Sequence, residues 1–312
     1  MEKYLVTGGA GFIGSNIVKK LLEDKKSVRA VDNFATGRKE NIQEFLKNPN
    51  FEFMEGDITD LAFAKKAVEG VDVVLHEAAV PSVPRSIEDP IKSNDANVTG
   101  TLNMLVASRD AKVKKFVYAS SSSIYGDNPE LPKKEDFPVR PISPYSLTKY
   151  AGERYAQIFY QIYGLPTICL RYFNVFGPKQ DPNSQYSAVI PKFINAFLKN
   201  GKLVINGDGS QSRDFTFVEN VVHANLLAAH SEKGIGQVMN IACGDETSLN
   251  DLVNILKEIS DKDITPEHVA ARLGDVPHSR ADVSKAKELL GYEPVVDIKE
   301  GLRRTFTWYE QS

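Results

Sequence analysis

Six short apolar runs, at residues 4–7, 27–32, 51–55, 71–76, 115–120 and 167–172, punctuate the first half of the chain, and amphipathic stretches of helical period separate them. That alternation predicts parallel strands joined by right-handed crossover helices, an α/β doubly wound sheet with its ligand at the carboxyl ends of the strands. After residue 173 the rhythm loosens into turn-rich stretches such as Gly177-Pro178 and Asn206-Gly207-Asp208-Gly209, separated by short helices. The expected division is a large domain over 1–173 and a smaller substrate domain over 174–312, with segments near 215–242 as candidates to return to the large sheet.

The turn after the first run is rich in glycine. Gly8-Gly9-Ala10-Gly11-Phe12-Ile13-Gly14 satisfies both GxGxxG and GxxGxxG, between a strand and the start of a helix. Without Cβ atoms the backbone can turn tightly and bring its N–H groups, and the positive end of the helix, against a pyrophosphate. Asp32 ends the second predicted strand, where a carboxylate can accept from ribose hydroxyls and repel a 2′-phosphate; this favours NAD over NADP, with Arg38 nearby as a countervailing cation. Asp57-Ile58 follows the third strand. Asp57 reads either as a partner for the adenine amino group, with Ile58 on the ring face, or as a helix N-cap before Leu61.

A pattern from Tyr145 through Tyr163 predicts a long helix, on which Tyr145 and Lys149 share a face. A phenol ordinarily ionises near pH ~10, but an adjacent ammonium favours the phenolate, which can then take a hydroxyl proton. The pair alone is common on helix surfaces. Ser120 to Ser123 follow the fifth strand, on the same rim as the glycine loop, and supply a hydroxyl to bridge Tyr145 to a reacting oxygen.

Composition narrows the partners. With 42% hydrophobic and 25% charged residues over 312 positions the chain can bury a sizeable core, and a net charge of -3 provides no broad basic field for nucleic acid. Cys169 and Cys243 are far apart, read as reduced thiols, and have no spacing that suggests a metal. No signal-peptide pattern opens the chain and no run approaches the ~20 apolar residues of a membrane span, so a cytoplasmic location is expected.

The segments TGGAGFIG, DNFATG, GDITD, HEAAVPSVPRS, YASSSSIYGD, SPYSLTK, LRYFNVFGP, INGDGSQSRDFTFVEN and ARLGDVPHSRAD, in this order, resemble the extended short-chain dehydrogenase/reductases and, among them, the UDP-sugar 4-epimerases. The resemblance covers essentially the whole chain and implies a Rossmann-type sheet, bound NAD and a homodimer built through helices near 98–110 and 146–163. It implies Ser121, Tyr145 and Lys149 as the catalytic triad, and adds Asn33 and Ala78 to Gly8, Gly11, Phe12, Ile13, Gly14, Asp32, Asp57 and Ile58 as cofactor contacts. For the substrate it implies Ser122 beside the sugar, Asn174 near the phosphates, Ala188 and Val189 at the uridine, and Arg213 and Arg272 on the diphosphate.

The resemblance further implies reversible oxidation at C4, a 4-keto sugar that turns over within the site, and reduction on its other face. Dehydratases of this superfamily carry an Asp-Glu pair beside the catalytic hydroxyl, and UDP-glucuronate decarboxylases a glutamate; here Ser122-Ser123 stands there. Where UDP-glucose/galactose epimerases typically place a tyrosine, this chain has the small Ser279, which leaves volume for an acetamido group. The expected substrate pair is UDP-GlcNAc/UDP-GalNAc, with UDP-Glc/UDP-Gal also used. Leu273 departs from the acidic residue often found there, and Arg280 adds a cation that either faces solvent or favours a uronic acid. His76, at the end of a strand, reads as a histidine of the core or one that supports the site from behind, not as a base.

Overall fold

The computed structural model describes residues 2–181, 189–270 and 277–311. All six predicted strands form: β1 (Lys3–Thr7), β2 (Ser27–Asp32), β3 (Phe51–Glu55), β4 (Val73–His76), β5 (Lys115–Ser121) and β6 (Thr167–Tyr172), and the second half of the chain adds β7 (Val238–Ile241). The sheet order is β7-β6-β5-β4-β1-β2-β3, and each neighbouring pair is parallel. The connection reverses direction between β1 and β4, which opens a crevice at their carboxyl ends.

Two boundaries differ from expectation for local reasons. β4 starts at Val73, not residue 71, because the Val71 N–H closes a turn onto the Val68 carbonyl at 3.1 Å while the Asp72 carboxylate accepts from the Lys3 N–H at 2.8 Å. β5 runs one residue further, with Ser121 in register with Tyr172 of β6. The last rung of the sheet therefore carries a hydroxyl into the crevice.

Helices α1 (Phe12–Glu23), α2 (Leu61–Val68), α3 (Gly100–Asp110) and α4 (Pro144–Tyr163) come from the first half, and α5 (Val189–Lys199), α6 (Val218–His230), α7 (Leu249–Ser260) and α8 (Ile298–Glu310) from the second. Ile17 and Leu21 of α1 pack with Val221 and Ala228 of α6 on one face of the sheet. Ala64, Leu105, Ala156 and Phe159 from α2, α3 and α4 cover the other. A separate core joins Phe193 and Phe197 of α5 to Leu252 and Leu256 of α7 and to Leu302 and Phe306 of α8. Each such side chain contributes about 1.5–3 kcal/mol on burial. Thus α6 and β7, drawn from residues after 173, complete the large sheet, while α5, α7 and α8 build the smaller layer beside its carboxyl edge.

The start of α4 matters most for the site. Ser143 and Ser146 form a reciprocal capping box and Pro144 occupies the first turn, where its missing N–H costs nothing. The cap fixes Tyr145 in the first turn and Lys149 one turn further in. Gly164, in the left-handed region, ends the helix.

Candidate active site

A cleft of about 860 Å³ lies over the carboxyl ends of β1, β4, β5 and β6, and its lining runs from the glycine loop to Ser279. At one end, Gly8, Gly11, Phe12, Ile13 and Gly14 form its floor. Gly8 has φ +65°, and a Cβ there would stand 2.9 Å from the Ala78 backbone; a Cβ on Gly14 would overlap the Gly8 carbonyl oxygen. Gly11 precedes α1 without a side-chain cap, and α1 has no acidic residue in its first turn. The N–H groups of that turn therefore face the cleft as an anion site, in a cradle that only glycine leaves open.

Asp32 and Asn33 line the cleft beyond β2, with Asp57 and Ile58 beside them. The Asp32 carboxylate accepts from Ala10 N at 3.0 Å and Phe34 N at 2.8 Å. Burial pushes its carboxyl above the usual range, against those N–H groups. Arg38 is turned away into an ion pair with Asp181 at 2.7 Å. Burial would likewise raise Asp57, but hydrogen bonds from Thr59 and Asn33 hold its carboxyl below the usual range. The helix cap weighed for Asp57 is made instead by Asp60, whose carboxylate accepts from Ala62 N. Asn103 of α3 donates to the Ile58 carbonyl at 3.1 Å and fixes that wall. These features fit a dinucleotide with a free ribose 2′-hydroxyl.

Ser121, Tyr145 and Lys149 meet in the middle of the cleft. Burial raises the Tyr145 phenol above its ordinary pKa, hydrogen bonding with Ser121 opposes the rise and the Glu77 charge adds to it, so the expectation that the neighbouring ammonium brings the phenol down is not met. Lys149 Nζ donates to the Ala119 carbonyl at 2.8 Å, and burial lowers its pKa. The Tyr145 N–H donates to Ser86 Oγ at 3.0 Å, which ties α4 to the wall opposite. A hydroxyl, a phenol and an ammonium so placed can move a proton to and from a substrate oxygen.

At the far end, Ser122, Asn174, Arg213 and Ser279 line the cleft. Asn174, at φ +35°, accepts through its carbonyl from Thr216 N and donates from Nδ2 to the Asp214 carbonyl. Ser279 sits in a short strand parallel to Ser212–Arg213, and its carbonyl accepts from Asp214 N at 2.7 Å. Buried Asp214, its carboxyl pushed up to about 6 by desolvation, gathers the N–H groups of Cys243, Gly244 and Ala281 and so holds this strand in place. Arg213 donates to the carbonyls of Ser212 and Pro277. Arg280 is exposed, with Nε 4.0 Å from Glu246, in keeping with the solvent-facing reading.

The match to expectation is incomplete. Val189 opens α5 and packs onto the second core; it is not among the residues lining the cleft. Ala188, Arg272 and Leu273 lie outside the described residues. Several lining residues were not anticipated: Glu77, Ser82, Lys133 and Tyr172. The alternation at the end of β4 gives the one available signal, since His76 turns into the α3 side, between Thr7 and Thr101 at 2.9 and 3.0 Å, and the next residue must face the other way. His76 is fully buried and pushed down to about 3 by desolvation, which makes it the neutral core histidine expected.

Residues 4–242 match the model of the NAD dependent epimerase/dehydratase family. A UDP-N-acetylglucosamine 4-epimerase from Methanobrevibacter ruminantium, solved with UDP-N-acetylmuramic acid, is 40% identical, with 99% of this chain and 98% of that one covered at a TM-score of 0.94. The UDP-glucose 4-epimerase of Thermotoga maritima, solved with UDP-glucose, is 40% identical with 99% of both chains covered and a TM-score of 0.93. A UDP-glucuronate 4-epimerase from Thermodesulfobacterium geofontis is 38% identical over 100% of this chain and 97% of its own. The chain belongs to the NAD dependent epimerase/dehydratase family, with NAD as its cofactor. Within that family it stands with the UDP-sugar 4-epimerases, and it is an isomerase.

Proposed function

We propose that the enzyme inverts C4 of UDP-GlcNAc and UDP-GalNAc reversibly, and acts on UDP-Glc and UDP-Gal as well. The observation that carries this reading is the pairing of Ser122-Ser123, with no acid beside Ser121, and the small Ser279 at the sugar end of the same cleft. NAD, when bound, supplies a reversible hydride acceptor. The chain does the rest. Ser121 orients the C4 hydroxyl, Tyr145 takes its proton, and Lys149 stabilises the phenolate. Ser122-Ser123 puts no carboxylate beside Ser121 where the dehydratases carry theirs, so the 4-keto sugar is returned as an alcohol. Arg213 and Arg272 hold the diphosphate while the sugar turns. Relatives that act on N-acetylated, neutral and uronic sugars all align along the whole chain, so it is Ser279 that supports the acetamido sugar, together with Arg280 facing Glu246 and solvent.

Incubating the purified protein with UDP-GlcNAc, UDP-Glc or UDP-GlcA, without added cofactor, and following C4 by proton NMR tests the reading. Inversion is expected with the first two. If none of the three inverts even with NAD supplied, the epimerase assignment fails; inversion of UDP-GlcA alone would move the substrate to the uronates. Ser279→Tyr is expected to slow turnover of the N-acetylated pair by about tenfold to a hundredfold, the scale of one overpacked contact, and to spare UDP-Glc. Equal loss on both would remove the volume argument.

A homodimer is part of the same proposal. On α4, Leu147, Tyr160, Ile162 and Tyr163 leave apolar surface exposed. Sedimentation of the protein as a monomer at micromolar concentration would count against it.

A further inference from the structure

Glu77 follows β4 directly and lines the cleft with Tyr145 and Lys149. Its carboxylate is held from below by a chain of fixed direction. Asn225 Nδ2, on α6, donates to the Tyr172 phenol oxygen at 2.7 Å and to the Val221 carbonyl at 2.9 Å, and the phenol donates to Glu77 Oε1 at 2.8 Å. Because the Asn225 amide nitrogen can only donate, the Tyr172 proton is committed to Glu77. Burial holds that phenol protonated, well above its ordinary range. Buried without a partner a carboxyl goes neutral, so the bond from Tyr172 and any nearby cation decide how far Glu77 stays charged.

The surroundings offer one. α4 presents Lys149 and Tyr145, β5 presents Tyr118, held protonated by burial with its ring 5.3 Å from Lys149 Nζ, β6 presents Tyr172, α6 presents the neutral Asn225, and the glycine loop carries no titratable group. His76, next in the chain, faces the opposite side and is neutral. Lys149 donates to a backbone carbonyl, and among the described residues no carboxylate forms a direct ion pair with it. In the register of β4 on β5, Glu77 follows the pair His76–Tyr118 and so leaves the sheet beside Ala119, whose carbonyl Lys149 meets; burial pushes the Glu77 carboxyl up to about 7 and Lys149 down, and the charge of each works against the other's drift.

We propose that Glu77 is a positioning residue of the catalytic site: a carboxylate fixed in the cleft by Tyr172 and Asn225, beside the Ala119 carbonyl that holds Lys149, that favours the Lys149 ammonium. The inference rests on the catalytic pair assigned above. Burial alone would drive Lys149 toward the neutral amine, which could not stabilise a phenolate; the carboxylate opposes that drift. With no carboxylate in a direct ion pair with it among the described residues, the ammonium stays available to the substrate side.

The test is a titration of the Lys149 side chain by carbon NMR in the NAD-loaded protein, with the resonance assigned by its loss in Lys149→Arg. Glu77→Gln is expected to lower the midpoint by about one pH unit, the lower end of what an opposite charge nearby contributes. The alkaline limb of the epimerase profile should move down with it. Glu77→Asp, which keeps the charge, should stay near wild type in both. An unmoved Lys149 midpoint in folded Glu77→Gln overturns the proposal. If that variant does not fold, Tyr172→Phe serves instead: it removes the bond that favours the carboxylate, so Glu77 should protonate at higher pH and the Lys149 midpoint should fall, and an unmoved midpoint there is equally decisive. The midpoint is read without substrate, so an inactive wild type would end the epimerase reading while the titration still decides the role of Glu77.

Discussion

Tyr145→Phe is expected to lower kcat about a thousandfold, within the 10² to 10⁴ range that general acid–base groups contribute, while KM and bound NAD stay close to wild type. The substitution removes one oxygen. The features that build the start of α4, namely the Ser143 capping box and the Tyr145 N–H bond to Ser86, involve no part of the phenol and remain. What is lost is the phenol oxygen beside Ser121, and with it the base for the C4 hydroxyl. In the wild type the rate should fall on both sides of an optimum. On the acid side the phenol keeps its proton and cannot act; on the alkaline side Lys149, whose pKa burial has lowered, loses the charge that supports the phenolate. Tyr145→Phe should abolish the acid limb along with the activity. Turnover within tenfold of wild type, measured by NMR at saturating UDP-GlcNAc, would show that another group takes the proton.

The first half of the molecule was largely legible because its information is local. A strand buried on both faces must be a continuous apolar run, a pyrophosphate loop must be glycine, and a helix needs a cap. Hence 27–32, 51–55 and 167–172 were read to the residue, and Gly8, Gly14, Asp32, Tyr145 and Lys149 fell on one rim as expected. The second half was less so. Nothing local in Val238–Ile241 says that it pairs with β6, since its four buried positions read equally well as a buried helical segment. Lys133 reaches the cleft because its backbone bridges to Ala281, nearly 150 residues away, a contact that leaves no periodic trace. Glu77 is an intermediate case: β4 fixed its direction, but its partners Tyr172 and Asn225 come from β6 and α6, and only the folded chain brings them together. The π-helical turn at Asp95–Thr99 was also silent in the sequence. It lets Asn97 clamp both backbone polar groups of Val80 and reach Thr148 on α4, which fixes the wall facing Tyr145.

Glu153→Ala is expected to cost about 3–5 kcal/mol of stability, the usual loss when one member of a buried ion pair is removed. Glu153 of α4 and Arg171 of β6 are 1% and 4% exposed, and they meet in a two-pronged bond, Nε to Oε2 at 2.9 Å and Nη2 to Oε1 at 2.7 Å. Ser120 Oγ donates to the same carboxylate at 2.8 Å, while Arg171 Nη1 donates to the Tyr125 phenol, which in turn donates to Asn240 on β7 at 2.7 Å. The network therefore joins α4, β5, β6 and β7 directly behind Ser121. Burial works against the Arg171 charge, and the Glu153 carboxylate more than reverses this, so the guanidinium stays charged. Alanine would leave it in the interior with Tyr125 and a backbone carbonyl as its remaining partners. At roughly 2–4 °C per kcal/mol for chains of this order of size, Tm should fall by about 10 °C. Replacing both residues with Met removes the stranded charge and should cost less than the two single changes together, giving a coupling energy of about 2 kcal/mol or more in a double-mutant cycle. A loss below ~1 kcal/mol for Glu153→Ala would mean that water reaches the pair in solution. Because Ser120 is anchored by Glu153 and Ser121 is its neighbour, the folded fraction of Glu153→Ala should also lose kcat more than it loses bound NAD: the glycine cradle lies across β4 from the damage, whereas the catalytic hydroxyl sits beside it.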